Sequence, residues 1–156
     1  MIKVYDWFQS PEKSVYIITE LCDEGTLQDK LNKAKKAGEK FTPEQCLEII
    51  FQVILGVSSL HEQEIVHRDL KTENIFINEG VHKLGDFGFA RKAIGEFQTV
   101  CGTPSYMAPE FFNGKPLTAL VDVWSIGIIF YELLFRVLPF KGNRREMQKA
   151  ISNKEY

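Results

Sequence analysis

The chain has 156 residues, of which 44% are hydrophobic and 26% charged, and its formal net charge is −2. This length and composition are typical of one globular domain with a buried core. The nearly balanced charge gives no reason to expect a nucleic acid or a membrane surface as a partner. The cysteines Cys22, Cys46 and Cys101 include no CxxC pair, and the first residues lack an apolar signal run. We therefore expect free thiols and a cytoplasmic location.

The first part of the chain predicts two strands followed by a helix. Residues 2–8 and 15–19 flank a turn at residues 10–13, and the second run is β-branched and aromatic throughout. Residues 20–25 form a polar connector. Thr26 is then expected to cap a helix that buries one face. The residues on that face are Leu27, Leu31 and Ala34.

A second, longer helix is predicted from Pro43 onward. Thr42, Pro43 and Gln45 form a capping box with proline in the first turn. His61 lies at the end of this helix, and we expect it to pack or cap rather than to bind a ligand. The predicted buried face contains Leu47, Ile50, Val53, Ile54, Val57 and Leu60.

Two short apolar runs, residues 75–77 and 81–84, flank a turn with the sequence Asn-Glu-Gly, which predicts a β-hairpin. The turn lies midway between Asn74 and Asp86, so the hairpin brings both residues to its open end. The amide oxygen of Asn74 and the carboxylate of Asp86 are hard ligands, suited to a metal ion held together with substrate phosphates.

Asp69 and Lys71 lie just upstream of this hairpin and offer a proton acceptor and a phosphate-facing cation. Together with the two oxygen ligands they predict phosphoryl transfer. Downstream, residues 89–106 show little periodicity and are expected to form a long loop, and such loops in compact domains are usually functional.

The last third of the chain predicts two helices. Residues 120–134 are apolar on nearly every side but are interrupted by Asp122 and Glu132. We therefore expect a helix of the core rather than a membrane span. Residues 144–151 suggest a final amphipathic helix.

Three motifs occur in order along the chain: His67-Arg68-Asp69-Leu70-Lys71 up to Asn74, Asp86-Phe87-Gly88, and Ala108-Pro109-Glu110. Together they resemble the eukaryotic protein kinase family, serine/threonine type. The resemblance covers essentially the whole chain. It implies an α+β, protein-kinase-like fold with a mostly helical C-lobe and a remnant of the N-lobe sheet.

The resemblance also implies a division of residues 1–156 within one partial kinase domain. Residues 1–19 would be remnant N-lobe strands, residues 20–25 the hinge, and residues 26–156 a C-lobe that lacks the final helices. The expected cofactors are ATP and Mg²⁺, and the expected partner is a protein substrate with a Ser or Thr hydroxyl.

Catalytic roles follow from the same resemblance. Asp69 is expected to be the catalytic base, and Asn74 and Asp86 are expected to hold magnesium. Lys71 resembles the lysine that serine/threonine-specific members place near the γ-phosphate. Thr103 lies in a segment that resembles the substrate-docking turn, and it is expected to hydrogen-bond Asp69 and Lys71.

The resemblance places the adenine site at the hinge. Backbone groups of Glu20 and Cys22 would bind the adenine edge, and Thr19 stands at the gatekeeper position. Phe76 would lie under the adenine ring, although a phenylalanine between two isoleucines is equally well explained as a core residue.

Regulation and support are implied at three further positions. Thr99 stands where many members are phosphorylated, so an upstream kinase acting on Thr99 is a possible partner, and Arg68 would pair with the phosphate. The alternative is an unmodified loop threonine. Asp122 matches the buried carboxylate that holds the backbone beside the catalytic residues.

Several features depart from the family pattern. The sequence has no Gly-rich loop, no Val-Ala-Ile-Lys-type lysine and no helix with its partner glutamate, so we expect a kinase fragment with little or no activity by itself. Glu110 would lack its usual arginine and be left partly buried and unpaired. Thr72 stands where the family usually has proline, and Thr26 where many members have an acid.

Two alternative functions stay open at this stage. One is a non-catalytic pseudokinase or interaction module, which the missing lysine favours and the intact catalytic residues oppose. The other is a small-molecule phosphotransferase of related fold. Within the family, residues 86–91 and 101–106 are similar to Unc-51-like, NIMA-related and calcium/calmodulin-dependent kinases, and we favour the Unc-51-like group.

Overall fold

The computed structural model describes residues 1–92 and 101–153. Strands β1 and β2 are followed by helices α1 and α2, short strands β3 to β6, and helices α3 to α5. Their bounds are β1 Val4–Gln9, β2 Val15–Thr19, α1 Leu27–Ala37, α2 Pro43–His61, β3 Ile65–Val66, β4 Ile75–Asn78, β5 Val81–Leu84, β6 Arg91–Lys92, α3 Glu110–Asn113, α4 Leu120–Phe135 and α5 Arg144–Asn153. Two 3₁₀ helices, Thr72–Asn74 and Pro104–Tyr106, lie between them. The predicted α+β class is confirmed.

The two long helices of the first half begin as their sequences predict. Thr26 accepts a hydrogen bond from the backbone N–H of Asp29, and the Asp29 carboxylate accepts one from the Thr26 N–H. Thr42 and Gln45 exchange the same pair of bonds at the start of α2. These reciprocal bonds satisfy backbone donors that a helix start leaves free.

Helix α2 buries a narrower face than its apolar residues predict. Its buried residues are Cys46, Ile49, Ile50, Val53, Val57 and Leu60. The prediction was wrong for Leu47 and Ile54, which are 56% and 45% exposed. The helix packs on α4 and β5, and these two residues lie on its outer flank, away from both partners.

Helix α4 crosses α2 in the main core. Ile129 and Leu133 are fully buried there, but Leu120 and Val123 are exposed, so α4 is not buried on every side. Within the described residues, no helix is long and apolar enough to cross a membrane. Asp122 and Glu132 are both buried, at 0% and 4% exposure.

The strands form antiparallel pairs, β1 with β2, β3 with β6, and β4 with β5. The predicted hairpin is confirmed, with Ile75 opposite Leu84 and Asn78 opposite Val81. Strand β1 begins at Val4 rather than at the predicted residue 2, because the Ile2 N–H donates to the Leu84 carbonyl at 2.8 Å. The first residues therefore lie along β5 before the chain enters β1.

Candidate functional site

The loop 67–74 connects β3 to β4 and is held by the buried carboxylate of Asp122. The backbone N–H groups of His67 and Arg68 each donate to this carboxylate at 2.9 Å. The His61 ring lies 2.8 Å from the same carboxylate. Asp122 therefore fixes the loop as expected, and His61, predicted only to pack or cap, is its third partner.

His67 ties the loop to the segment after β5. Its Nε2 lies 3.0 Å from the Gly85 carbonyl, and its Nδ1 accepts from the Asp69 N–H at 3.4 Å. With these partners Nδ1 is an acceptor and Nε2 is the donor to the Gly85 carbonyl. The ring also packs against Phe87, with 5.3 Å between centroids. We assigned His67 no role from the sequence, although its place in the motif was the available signal.

Asp69, Lys71 and Thr103 form one compact cluster. The Asp69 carboxylate lies 2.9 Å from the Lys71 ammonium and accepts hydrogen bonds from the Thr103 N–H and hydroxyl at 2.9 and 2.8 Å. Lys71 also donates to the Thr103 hydroxyl at 3.0 Å. Gly102 permits this approach, because a Cβ there would lie 2.6 Å from the Arg68 carbonyl. The hydrogen bonds that we expected from Thr103 are present.

Asn74 and Asp86 flank the β4–β5 hairpin at its open end, where the Gly85 N–H donates to the Asn74 carbonyl at 2.9 Å. The Asn74 amide nitrogen donates to the backbone and carboxylate of Asp69 at 2.9 and 3.2 Å. This fixes the amide so that its oxygen is available as a ligand. Asp86 is exposed and accepts a long bond, 3.3 Å, from the Gly88 N–H.

The amide oxygen of Asn74 and the carboxylate of Asp86 are hard donors of the kind that could hold a divalent cation together with phosphates and water. A dedicated protein cage does not exist in the described part of the chain, where no three His, Cys, Asp or Glu side chains are grouped to hold a metal. A site with few protein ligands is the usual form for a metal that binds together with a nucleotide.

A mostly apolar cavity of about 710 Å³ opens between the β1–β2 and β4–β5 hairpins. Glu20, Cys22, Phe76 and Asp86 all line it, together with Thr19. The structure thus brings the predicted adenine-site residues to the same cavity as one predicted metal ligand. Burial raises the pKa of the Cys22 thiol, and the nearby Glu20 carboxylate adds to this shift.

Glu20 holds this edge of the cavity through its side chain. Its carboxylate lies 2.6 Å from the Lys83 ammonium and accepts from the Lys3 N–H at 2.7 Å and the Asn78 amide at 3.3 Å. The hydrogen bond from Lys83 lowers the pKa of Glu20 below its usual value. The backbone carbonyl of Glu20 accepts from the Thr19 hydroxyl at 3.1 Å.

The regulatory residues are only partly placed. Thr99 lies outside the described residues. Arg68 donates from its Nε to the Phe89 carbonyl at 2.7 Å, which ties loop 67–74 to the start of the following loop. Glu110 is half-buried, as expected, and makes no ion pair with any described residue.

Comparisons with known proteins agree with this geometry. A family model described as "Protein kinase domain" matches residues 1–155. The chain is 39% identical to "Serine/threonine-protein kinase polo" of Drosophila melanogaster, over 100% of this chain and 27% of the relative. It is 39% identical to "Serine/threonine-protein kinase Nek11" of Homo sapiens, over 81% and 20%. It is 46% identical to "Probable serine/threonine-protein kinase PLK" of Dictyostelium discoideum, over 93% and 15%.

The chain therefore spans between 15% and 27% of the length of these relatives. The Nek relatives agree with the NIMA-related group, which was one of the three groups named from the sequence, although we had favoured the Unc-51-like group. The polo relatives were not expected. The family model covers nearly the whole chain, and the relatives that we name are serine/threonine kinases, so the chain belongs to the protein kinase family.

Proposed function

We propose that the chain forms part of the catalytic domain of a serine/threonine protein kinase, which transfers the γ-phosphate of ATP to a Ser or Thr hydroxyl of a protein. The cluster of Asp69, Lys71 and Thr103 carries this proposal, because Asp69 accepts a hydrogen bond from Asn74. Asn74 lies at the same end of the β4–β5 hairpin as Asp86, which lines the cavity. In this proposal residues 1–19 are N-lobe strands, residues 20–25 the hinge, and residues 26–156 belong to the C-lobe.

Each residue of the cluster has a separate task. Asp69 orients the substrate hydroxyl and accepts its proton. Lys71 stabilises negative charge on the transferred phosphoryl group, and Thr103 keeps both side chains in place. Asn74 and Asp86 would hold Mg²⁺, which supplies charge neutralisation at the phosphates when bound. The work of the protein is positioning and electrostatic stabilisation.

The cavity is the proposed nucleotide site. Backbone groups of Glu20 and Cys22 would bind the adenine edge, and Phe76 would lie against the ring from below. The apolar lining supports this assignment, because an adenine ring gains affinity from burial while a few backbone groups fix its orientation. The ties of Glu20 to Lys83 and Lys3 would hold the hinge at a constant distance from Phe76.

Regulation by phosphorylation of Thr99 is proposed on the sequence alone, with an upstream kinase as partner and Arg68 as the cation that receives the phosphate. An unchanged rate for Thr99→Ala would contradict it. A cytoplasmic location is proposed because Cys22, Cys46 and Cys101 are all free thiols. Neither a nucleic acid nor a membrane is proposed as a partner.

The first experiment measures ATP binding to the chain by calorimetry, with and without magnesium. We expect Asp86→Asn to weaken binding by roughly tenfold or more when magnesium is present, because a metal ligand is lost. The matched control is Glu48→Gln, which removes an exposed carboxylate on α2. Equal affinities for wild type and Asp86→Asn in magnesium would contradict the proposed metal site.

A second experiment measures phosphate transfer to Ser/Thr peptides and to small-molecule acceptors. We expect transfer by the isolated chain to be slow and to fall further, by orders of magnitude, in Asp69→Asn. Binding of ATP without transfer that depends on Asp69 would instead support a pseudokinase or interaction module. Transfer only to small molecules would support a small-molecule phosphotransferase. Robust transfer by the isolated chain would contradict the expectation of low activity.

A further inference from the structure

A buried cluster of polar side chains lies beside loop 67–74 and has no part in the proposed reaction. We call Gln28, Thr72, Tyr106 and Glu132 the Thr72 cluster. Thr72 is 0% exposed, and Tyr106 and Glu132 are each 4% exposed. The four residues come from α1, the two 3₁₀ helices and α4. A buried polar group costs free energy unless its hydrogen bonds are made, so these contacts have to be accounted for individually.

Three oxygen–oxygen contacts link the four side chains of the cluster in a row. The Glu132 carboxyl oxygen lies 2.6 Å from the Tyr106 hydroxyl oxygen. The Tyr106 oxygen lies 3.1 Å from the Thr72 hydroxyl oxygen. The Thr72 oxygen lies 2.6 Å from the Gln28 amide oxygen. The Thr72 hydroxyl oxygen also makes two longer contacts, 3.4 Å to the Glu132 carboxyl group and 3.3 Å to the Glu73 carboxyl group.

The number of protons decides how these contacts can be made. Each short contact joins two oxygen atoms, so each needs one proton to be a hydrogen bond. Gln28 supplies none, because its amide nitrogen donates to the Asn32 side chain at 3.0 Å and its oxygen therefore faces Thr72. The hydroxyl groups of Thr72 and Tyr106 supply two protons, and within the cluster the acid form of Glu132 is the source of a third.

An ionised Glu132 leaves one contact unmade. Tyr106 then donates to Glu132, Thr72 donates to Gln28, and the two hydroxyl oxygens face each other at 3.1 Å without a proton between them. A protonated Glu132 removes this conflict. It donates to Tyr106, Tyr106 donates to Thr72, and Thr72 donates to Gln28.

The surroundings of Glu132 raise its pKa above the usual value of a carboxyl group. Burial is the largest influence and raises its pKa, and the nearby Glu73 carboxylate acts in the same direction. The hydrogen bonds from Tyr106 and Thr72 and the charge of Lys35 on α1 act against this rise without cancelling it. Burial also raises the pKa of Tyr106, so its phenol keeps its proton.

We propose that Thr72 is a positioning residue of loop 67–74, held by a hydrogen-bond chain that starts at the carboxylic acid form of Glu132 and runs through Tyr106 to Gln28. This row of hydrogen bonds is a second connection between loop 67–74 and the segment that follows Thr103. The contacts among Asp69, Lys71 and Thr103 form the first. Thr72 directly follows Lys71, and Tyr106 ends the 3₁₀ turn after Thr103. Proline, which the family usually has at this position, has no hydroxyl group and could not take part.

The consequence for catalysis rests on the proposed function, but the protonation of Glu132 does not. The first test is therefore a ¹³C NMR titration of the glutamate carboxyl groups in the full chain, with Glu132→Gln to assign the signal. We expect Glu132 to be protonated still at neutral pH. A Glu132 that is ionised at neutral pH overturns the proposal. That result would also be expected if the amide groups of Gln28 and Asn32 were both reversed, so that Gln28 supplied the third proton.

The second test compares Thr72→Val, which removes the hydroxyl, with Thr72→Ser, which keeps it. Without Thr72 as acceptor, Tyr106 loses the partner that the acid form of Glu132 leaves to it, which lowers the titration midpoint of Glu132. Thr72→Val also removes the 3.4 Å contact of Thr72 with Glu132, but this is the smallest of the influences on the pKa of Glu132. We therefore expect the midpoint to fall in Thr72→Val. The backbone signals of Lys71 and Thr103 should shift in the same variant, and Thr72→Ser should restore both. A midpoint that rises or stays constant in Thr72→Val overturns the proposal.

These tests remain decisive in two difficult cases. If Thr72→Val does not fold, the titrations of the wild type and Thr72→Ser still decide whether Glu132 donates into the cluster. If the chain neither binds ATP nor transfers phosphate, the proposed function fails while the titration of Glu132 is unaffected. The two failures can therefore be told apart.

Discussion

The hairpins β1–β2 and β4–β5 border the same cavity, but they are stabilised in different ways. Every residue of β1 and β2 is exposed, whereas Ile75, Ile77 and Leu84 of the second hairpin are buried. The β4–β5 hairpin packs on α1 and α2. Within the first hairpin the side-chain contacts are local, such as the stacking of Phe8 on Tyr16 at 5.0 Å between ring centroids.

This difference decides how the candidate site is positioned. Asn74 and Asp86 flank a hairpin that the core holds, so their positions are fixed by apolar packing. Glu20 follows the exposed hairpin and is fixed mainly by polar contacts, of which the Lys83 ion pair at 2.6 Å links the two hairpins directly. A lone two-stranded hairpin is only marginally stable in water. One side of the cavity is therefore far more sensitive to mutations in the core than the other.

The largest effect is expected for the carboxylate that supports the buried side. Asp122→Ala leaves two backbone N–H groups and His61 without their acceptor, and loss of one partner from a buried polar network typically costs roughly 3–5 kcal/mol. The free energy of unfolding, measured by urea denaturation, should fall by this amount. The matched variant is Asp6→Ala in β1. The exposed Asp6 carboxylate also accepts a backbone N–H, at 2.8 Å, but its loss should change the free energy of unfolding by less than about 0.5 kcal/mol. Similar losses of stability in the two variants would contradict the proposed difference between the two hairpins.

Apolar truncation tests the same comparison at the level of packing. Ile75 is 0% exposed and Ile17 is 62% exposed. Ile75→Ala should lower the free energy of unfolding by about 2–5 kcal/mol, because it leaves a cavity in the core. Ile17→Ala should cost less than about 1 kcal/mol, mainly through reduced strand propensity. Denaturation curves of both variants give these values, and a larger loss for Ile17→Ala would show that β2 is covered in solution.

Local sequence signals predicted the helix starts and the β4–β5 hairpin well. Thr26 and Thr42 cap their helices as expected, because a capping box depends on four consecutive residues. The β4–β5 hairpin also forms as predicted, since its turn lies between two short apolar runs. The motif residues meet because Asn74 and Asp86 flank this hairpin, so their proximity could be inferred from the spacing alone.

Burial and long-range contacts could not be predicted in the same way. The exposure of Leu47 and Ile54 depends on which helices and strands pack on α2, and the periodicity of α2 does not contain that information. The contact between His61 and Asp122 joins residues that are far apart in the sequence. The contacts within the Thr72 cluster do so as well. Such contacts arise only when α2, α4 and loop 67–74 are assembled.

The smallest effect is expected at the ion pair that links the hairpins. Lys83 lowers the pKa of Glu20 below its usual value. The pair therefore stabilises the folded state at pH values above the usual pKa of a glutamate, and this contribution is lost as the pH falls and Glu20 is protonated. Acidification from about pH 6 to about pH 3 should therefore lower the melting temperature less in Lys83→Met than in the wild type. Lys40→Met is the control, because exposed Lys40 makes no ion pair with the described residues, and it should keep the wild-type slope. Added salt should shrink the difference, since surface pairs are screened. Equal slopes in wild type and Lys83→Met at low salt would mean that the exposed hairpin is held by something other than this pair.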